Sequence, residues 1–324
     1  MRCLTIILTI ILLHSCAKEK STLKETIKRT KVDSISNLNE LRTFIKTTDS
    51  TLNQFLYATP KSYNQEGFHV AKIKRRLDSM FPNITFIKED FDANGFTDLI
   101  ITGAFYQHSF KVMAIMNYGN DHYAPIPLTL SLINDFPIYP KLVYKDEIPA
   151  VELYSISNYA ENFENGISKT TLVYKYGRFI DFNEESEDYQ ISQIEYRAEG
   201  CFGTCPVFEL VLNENAKSSF IARYHNFSKT LKIDPNKEEG YFETTIAKDK
   251  FSELCEIINY LQIKNLSDSY FAGGTCQPSC TLKVYFTDGT VKTIEDYGKS
   301  GTNGLYYLYR KLSDLRFNQD WVKL

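Results

Sequence analysis

The sequence predicts an α+β protein with a β-rich N-terminal domain and a C-terminal two-layer ββα-ββα domain on an antiparallel sheet. Three observations predict it. Aromatic residues reach 14%, with 22 Tyr and 22 Phe but a single Trp, an enrichment that suits strands better than helical bundles. Short apolar and alternating runs recur between Ile84 and Phe182, as strands separated by turns do. Two later segments then repeat one order: a C-x3-C pair, two alternating runs, and a helix with its apolar residues on one face.

A chain of 324 residues is long enough for two domains, or for one domain and a long tether. Hydrophobic residues at 43% and charged residues at 24% exclude a mostly disordered chain and a multi-span membrane protein. A formal net charge of −3 leaves no basic excess to attract nucleic acid, so no nucleic-acid partner is expected.

The elements follow in order. Arg2 precedes an apolar run from Leu4 to Leu13, which as a helix would rise about 15 Å and fall short of the bilayer core. Residues 1–15 therefore read as a signal peptide. Leu13-His14-Ser15-Cys16 resembles a bacterial lipobox, which implies a lipid on Cys16 and an anchor in a membrane of the cell envelope, the outer membrane being expected. Residues 16–48 read as a lipid-anchored tether carrying a helix near 35–47, where Ile35, Leu38, Leu41 and Ile45 recur at helical intervals. Asp33-Ser34-Ile35 and Asp49-Ser50-Thr51 resemble O-glycosylation sites of Bacteroidota.

Residues 49–186 read as the β-rich domain. Val70, Ile73, Leu77 and Met80 mark one helix face, and Pro82 stops it. Strands are expected over 84–86, 99–106, 110–118, 141–145, 151–155, 172–176 and 179–182, and the acidic run at 184–188 closes the domain.

The first strands enclose a candidate cation loop. Asp90, Asp92, Asn94 and Asp98 place side-chain oxygens at loop positions 1, 3, 5 and 9, with Gly95 at position 6 and the Phe96 carbonyl at position 7. Alternate residues of a tight turn can direct hard oxygens at one calcium ion. Asp, Asn and Gly also build turns with no metal, which is the competing explanation. The pattern, with Leu99 to Gly103 after it, resembles the calcium loop of integrin-type FG-GAP and VCBS repeats. That resemblance implies calcium in a structural role, tying strands together.

Residues 190–324 read as the α+β domain. Its Cys201/Cys205 and Cys276/Cys280 pairs are expected to be disulfides in an exported chain. Turns around Gly203 and Pro278 point to two local bridges. Loop closure points to cross-links between the pairs, at about 4.5 against about 2 kcal/mol. A four-thiolate zinc site and a redox-active pair stay open. Cys255 falls within the Phe251–Leu261 helix, as a buried free thiol. The run Cys201-Phe-Gly-Thr-Cys-Pro-Val-Phe208 with Asp296-Tyr297 and Trp321 resembles an uncharacterised bacterial domain family with a C-x-G-x-C-P-x-[YF] motif. The resemblance implies architecture and an envelope setting, without an activity.

No H-E-x-x-H or G-x-S-x-G stands in the sequence, and Gly298-Lys299-Ser300 lacks the preceding P-loop glycine, which is Thr293. Tyr306, Tyr307 and Tyr309 read as the edge of a core. The expectation is a non-catalytic binding or structural module on the envelope, facing an envelope protein or glycan. An envelope redox or metal-handling protein working through the two cysteine pairs is the alternative.

Overall fold

The computed structural model describes residues 28–62, 68–81, 86–105, 109–130, 136–156, 166–214, 217–226 and 239–324. The expected signal peptide over residues 1–15 and Cys16 lie outside the described residues. Among those residues no helix is long and apolar enough to cross a membrane.

Two helices open the fold, α1 (Lys31–Ser34) and α2 (Leu38–Thr48). Asn37 caps α2 by accepting the N–H groups of Asn39 and Glu40, and Glu40 answers by accepting from Ser36 N–H at 2.7 Å. Strands β1 (Phe55–Tyr57), β2 (Phe86–Glu89), β3 (Asp98–Phe105), β4 (Ser109–Asn117) and β5 (Tyr123–Pro127) form the first sheet. β3 pairs with β4 on one side, and with β1 and β2 on successive parts of its other side. Gly103 permits the approach of β1, because a Cβ there would lie 2.5 Å from the Leu56 carbonyl oxygen.

β3 reads as an unbroken apolar run because both of its faces are covered. Leu99 and Ile101 join Val32, Leu41, Phe44 and Ile45 of the opening helices. Ile100 joins Ile138, Val151, Leu153 and Leu172 of a second sheet. That sheet is an antiparallel meander of β6 (Ile138–Lys145), β7 (Ile148–Ile156), β8 (Ile167–Lys175) and β9 (Arg178–Asp181). Helix α3 (Phe68–Met80) packs beside it through Ile73 and Leu77, against Tyr139 and Ile156.

The third sheet holds β10 (Ile191–Ala198), β11 (Val207–Asn213), β12 (Ser218–Tyr224), β13 (Gly240–Thr244), β14 (Ser269–Phe271), β15 (Ser279–Phe286), β16 (Val291–Tyr297) and β17 (Val322–Lys323). Its spatial order is β14-β16-β15-β10-β11-β12-β13-β17, antiparallel except for the β14–β16 pair. Helices α4 (Lys248–Tyr260) and α5 (Asn303–Asn318) follow the two hairpins. The α+β class and the antiparallel C-terminal sheet are as the sequence predicts. The sequence did not place β10, which lies between the β11–β12 and β15–β16 hairpins and pairs with both.

Two boundaries differ from expectation. The tether read over residues 16–48 is packed from residue 28 onward: Val32 and Leu41 are fully buried, because the apolar faces of α1 and α2 cover the first sheet. The C-terminal domain is also not a free two-layer unit. One hydrophobic core joins Ala150, Val173 and Ile180 of the second sheet to α4, α5 and the third sheet. The layers run helices, sheet, sheet, helices, sheet. α5 shows both contacts: Tyr309 stacks on Tyr196 of β10 at 5.6 Å, and Tyr307 stacks on Tyr176 at 6.3 Å.

Candidate functional site

The β2–β3 connection folds around Asp90. Its two carboxylate oxygens accept the N–H groups of Asn94 at 3.1 Å and Gly95 at 2.8 Å. Ala93 and Gly95 take left-handed φ values of 56° and 82°, which turn the chain sharply enough to face Asp92 toward Asp90. Asp98, the first residue of β3, is fully buried. It accepts the N–H of Phe91 at 2.9 Å and of Asn117 at 2.7 Å.

The oxygens of Asp90, Asp92 and Asp98 all lie within 4.8 Å of one another. Burial, with the charge of Asp90 behind it, pushes the Asp92 carboxyl up to about 6. Burial also pushes Asp98 up to about 8, against its two N–H donors and with Asp92 and Asp90 adding repulsion. Three such carboxylates are a hard-oxygen set that suits a divalent cation. Among the described residues they are the one group of His, Cys, Asp and Glu side chains close enough to hold a metal ion.

Of the five predicted ligands, the structure brings these three together. Asn94 touches the cluster through its nitrogen and not its oxygen: its Nδ2 donates to Asp92 Oδ2 at 3.0 Å and to the Asn117 carbonyl at 2.9 Å, while its Oδ1 accepts from Phe96 N–H at 2.8 Å. The Phe96 ring lies against Gly119, where a Cβ would come within 2.5 Å of it. Sequence reasoning missed Asn117, which is fully buried and donates through Nδ2 to Thr30 Oγ1 and to the Thr97 carbonyl, both at 3.0 Å. Its signal was the Asn-Tyr-Gly turn after β4. It also missed Tyr174, whose hydroxyl meets that of Tyr118 at 3.2 Å. Burial first, with the Tyr118 contact and the charges of Asp92 and Asp98, raises the Tyr174 phenol.

The start of the described chain is laced to this loop. Lys28 N–H donates to the Gly95 carbonyl at 2.8 Å. Thr97 Oγ1 donates to Asp33 Oδ1 at 2.6 Å, and Lys88 Nζ donates to the carbonyls of Asp33 and Ile35. Partial burial opposes ionisation of Asp33, yet bonds from Thr97 and Thr30 hold its carboxyl below the usual range.

The cysteines divide differently from expectation. Cys201 and Cys205 form a disulfide with Cα atoms 5.5 Å apart, across a turn in which Gly203 has φ 142°. The expected second bridge is not formed: Cys276 is exposed and Cys280 is buried, both free. Strand alternation is the reason. Cys280 shares the inward face of β15 with Leu282 and Val284, while Cys276 sits in the turn before the strand. Burial pushes the thiols of Cys280 and Cys255 up to about 12. The loop at Gly298-Lys299-Ser300 is no phosphate cradle, since Asp296 accepts Ser300 N–H at 3.1 Å and Gly301 N–H at 2.9 Å.

Residues 192–316, from β10 into the last turn of α5, match the family model described as Domain of unknown function (DUF6438). A DUF6438 domain covers this part of the chain. It falls within the span where the sequence resembled an uncharacterised family. No curated protein and no solved structure matches the chain. The DUF6438 domain includes all four cysteines of the two C-x3-C pairs, and the acidic loop lies outside it.

Proposed function

We propose that this protein is a lipid-anchored, non-catalytic module of the cell envelope, in which a calcium ion on the β2–β3 loop ties the anchored N-terminal segment to the first sheet. The observation that carries the proposal is the convergence of Asp90, Asp92 and Asp98 within 4.8 Å. It occurs where Lys28 bonds to Gly95 and Thr97 bonds to Asp33. A cation there neutralises three crowded carboxylates and stiffens the point through which a tether from Cys16 would transmit force. The apolar leader and the Leu13–Cys16 sequence support the anchor. The local disulfide suits an oxidising compartment. The partner is an envelope protein or glycan.

The redox or metal-handling alternative is less well supported. Cys201 and Cys205 are already joined, Cys280 is shut in the core, and among the described residues the cysteines make no metal-holding group. The deciding experiment melts the full chain with millimolar calcium and with chelator, and weighs the mature protein. A higher melting temperature in calcium and an acylated N-terminal Cys16 are expected. Identical melting curves reject the calcium staple, and an unmodified leader rejects the anchor.

A further inference from the structure

The strand register gathers a row of side chains on the outer face of the third sheet. Phe271 of β14 pairs with Tyr297 of β16, and Tyr297 pairs with Ser279 of β15. Glu199, just past the end of β10, donates its N–H to the Ser279 carbonyl at 2.9 Å. Their alternates Cys280 and Asp296 are buried, so this row points away from the core. Beside it lie Glu295 and Thr281, which face each other across β16 and β15. The six residues line one groove of about 490 Å3.

The row is aromatic at one end and polar at the other. The rings of Phe271 and Tyr297 stack at 5.0 Å and 14°, and Phe271 is 70% exposed. Gln277 N–H donates to Tyr297 Oη at 3.2 Å and pins that ring. At the polar end, Ser279 Oγ donates to Glu199 Oε2 at 2.9 Å, and Arg197 holds the same carboxylate at 3.5 Å. Four neighbouring strands carry the row, so it spans about 14 Å.

We propose that this groove binds an oligosaccharide of flat, β-linked pyranose rings. The C–H face of such a ring carries partial positive charge and meets the negative face of an aromatic ring. Its hydroxyls donate to carboxylates and exchange hydrogen bonds with Ser and Thr. Straight β-linked rings lie along a nearly flat row, and a bent chain leaves it. A peptide added at the sheet edge suits the site less well, because β14 has three residues and a short edge strand is a poor template. The groove lies within the DUF6438 domain. The inference selects the glycan among the partners proposed above and rests on that reading.

The test titrates the full chain, in chelator, with triacetylchitotriose and cellotriose, and with maltotriose as the bent control. Calorimetry should show saturable binding of the two straight trisaccharides and at least about tenfold weaker binding of maltotriose. Phe271→Ala should weaken the straight ligands about tenfold and keep the parent's melting temperature, since the ring is exposed. Tyr241→Ala, which removes a 58% exposed ring on β13, should leave binding unchanged. Neither calcium nor lipid enters the measurement, so failure of the sugar site is told apart from failure of the staple or the anchor. The proposal is overturned if neither straight trisaccharide binds, if maltotriose binds equally well, or if folded Phe271→Ala binds as tightly as the parent. Binding of the extended hexapeptide (Thr-Val)3 in place of the sugars, lost in Phe271→Ala, would assign the groove to a peptide and overturn it as well.

Discussion

Asp181, the last residue of β9, accepts the backbone N–H of Gly304 in the first turn of α5 at 2.8 Å. The bond crosses from the second sheet to the DUF6438 domain and satisfies a helix N–H that has no partner within its own helix. Thr302 caps the same helix by accepting Leu305 N–H at 3.0 Å. Replacing Asp181 with Ala should destabilise the protein by about 1–2 kcal/mol. Asp181→Asn should lose less, since an acceptor oxygen remains. Denaturant midpoints of the two variants measure the difference.

The proposed calcium loop predicts a split between two conditions. Asp92 is half-buried and repelled by Asp90, so Asp92→Asn should change stability in chelator by no more than about 0.5 kcal/mol. The same variant should lose most of the rise in melting temperature expected for the parent in calcium. Differential scanning calorimetry in both buffers reads the two effects. A full calcium response in the variant would place the ion elsewhere.

Gly103 predicts a steric cost. A Cβ at this position would meet Leu56 O at 2.5 Å and the Phe55 ring at 2.6 Å, so Gly103→Ala must push β1 off β3 or strain both. A loss of about 1–3 kcal/mol is expected. Urea melting of the variant against the parent is the check.

The shared core predicts that the DUF6438 domain does not stand well alone. A fragment of residues 187–324 would expose the side of α4 and α5 that meets Ala150, Val173 and Ile180. It should bind a hydrophobic dye and melt without a sharp transition, whereas the full chain should not bind the dye. In the full chain Leu308 is fully buried, and Leu308→Ala should cost about 2–5 kcal/mol. A sharp, dye-free melt of the fragment would show the second sheet to be dispensable.

Most elements were legible because their signals are local. The apolar stripe of Leu305, Leu308, Leu312 and Leu315 repeats at helical intervals, and α5 forms there. The alternation of Leu282, Val284 and Phe286 marks one buried face, and β15 forms there. The acidic loop was legible for a similar reason, since Asp90, Asp92 and Asp98 lie within nine residues and one sharp turn gathers them. Asn117 and Tyr174 were not, because they approach that loop from another strand and another sheet.

By itself, the order of residues determined α2 to α5, the hairpins and the acidic turn, all of which involve neighbours in the chain, and left the pairing of the cysteines open. Tertiary structure alone decided that residues from Lys28 onward pack rather than trail, that α4 and α5 are covered on both sides, and that Cys280 is sealed while Cys276 is open. Those outcomes depend on which apolar faces meet across more than a hundred residues. A one-dimensional pattern shows that a face is apolar, and only its three-dimensional neighbours determine what covers it.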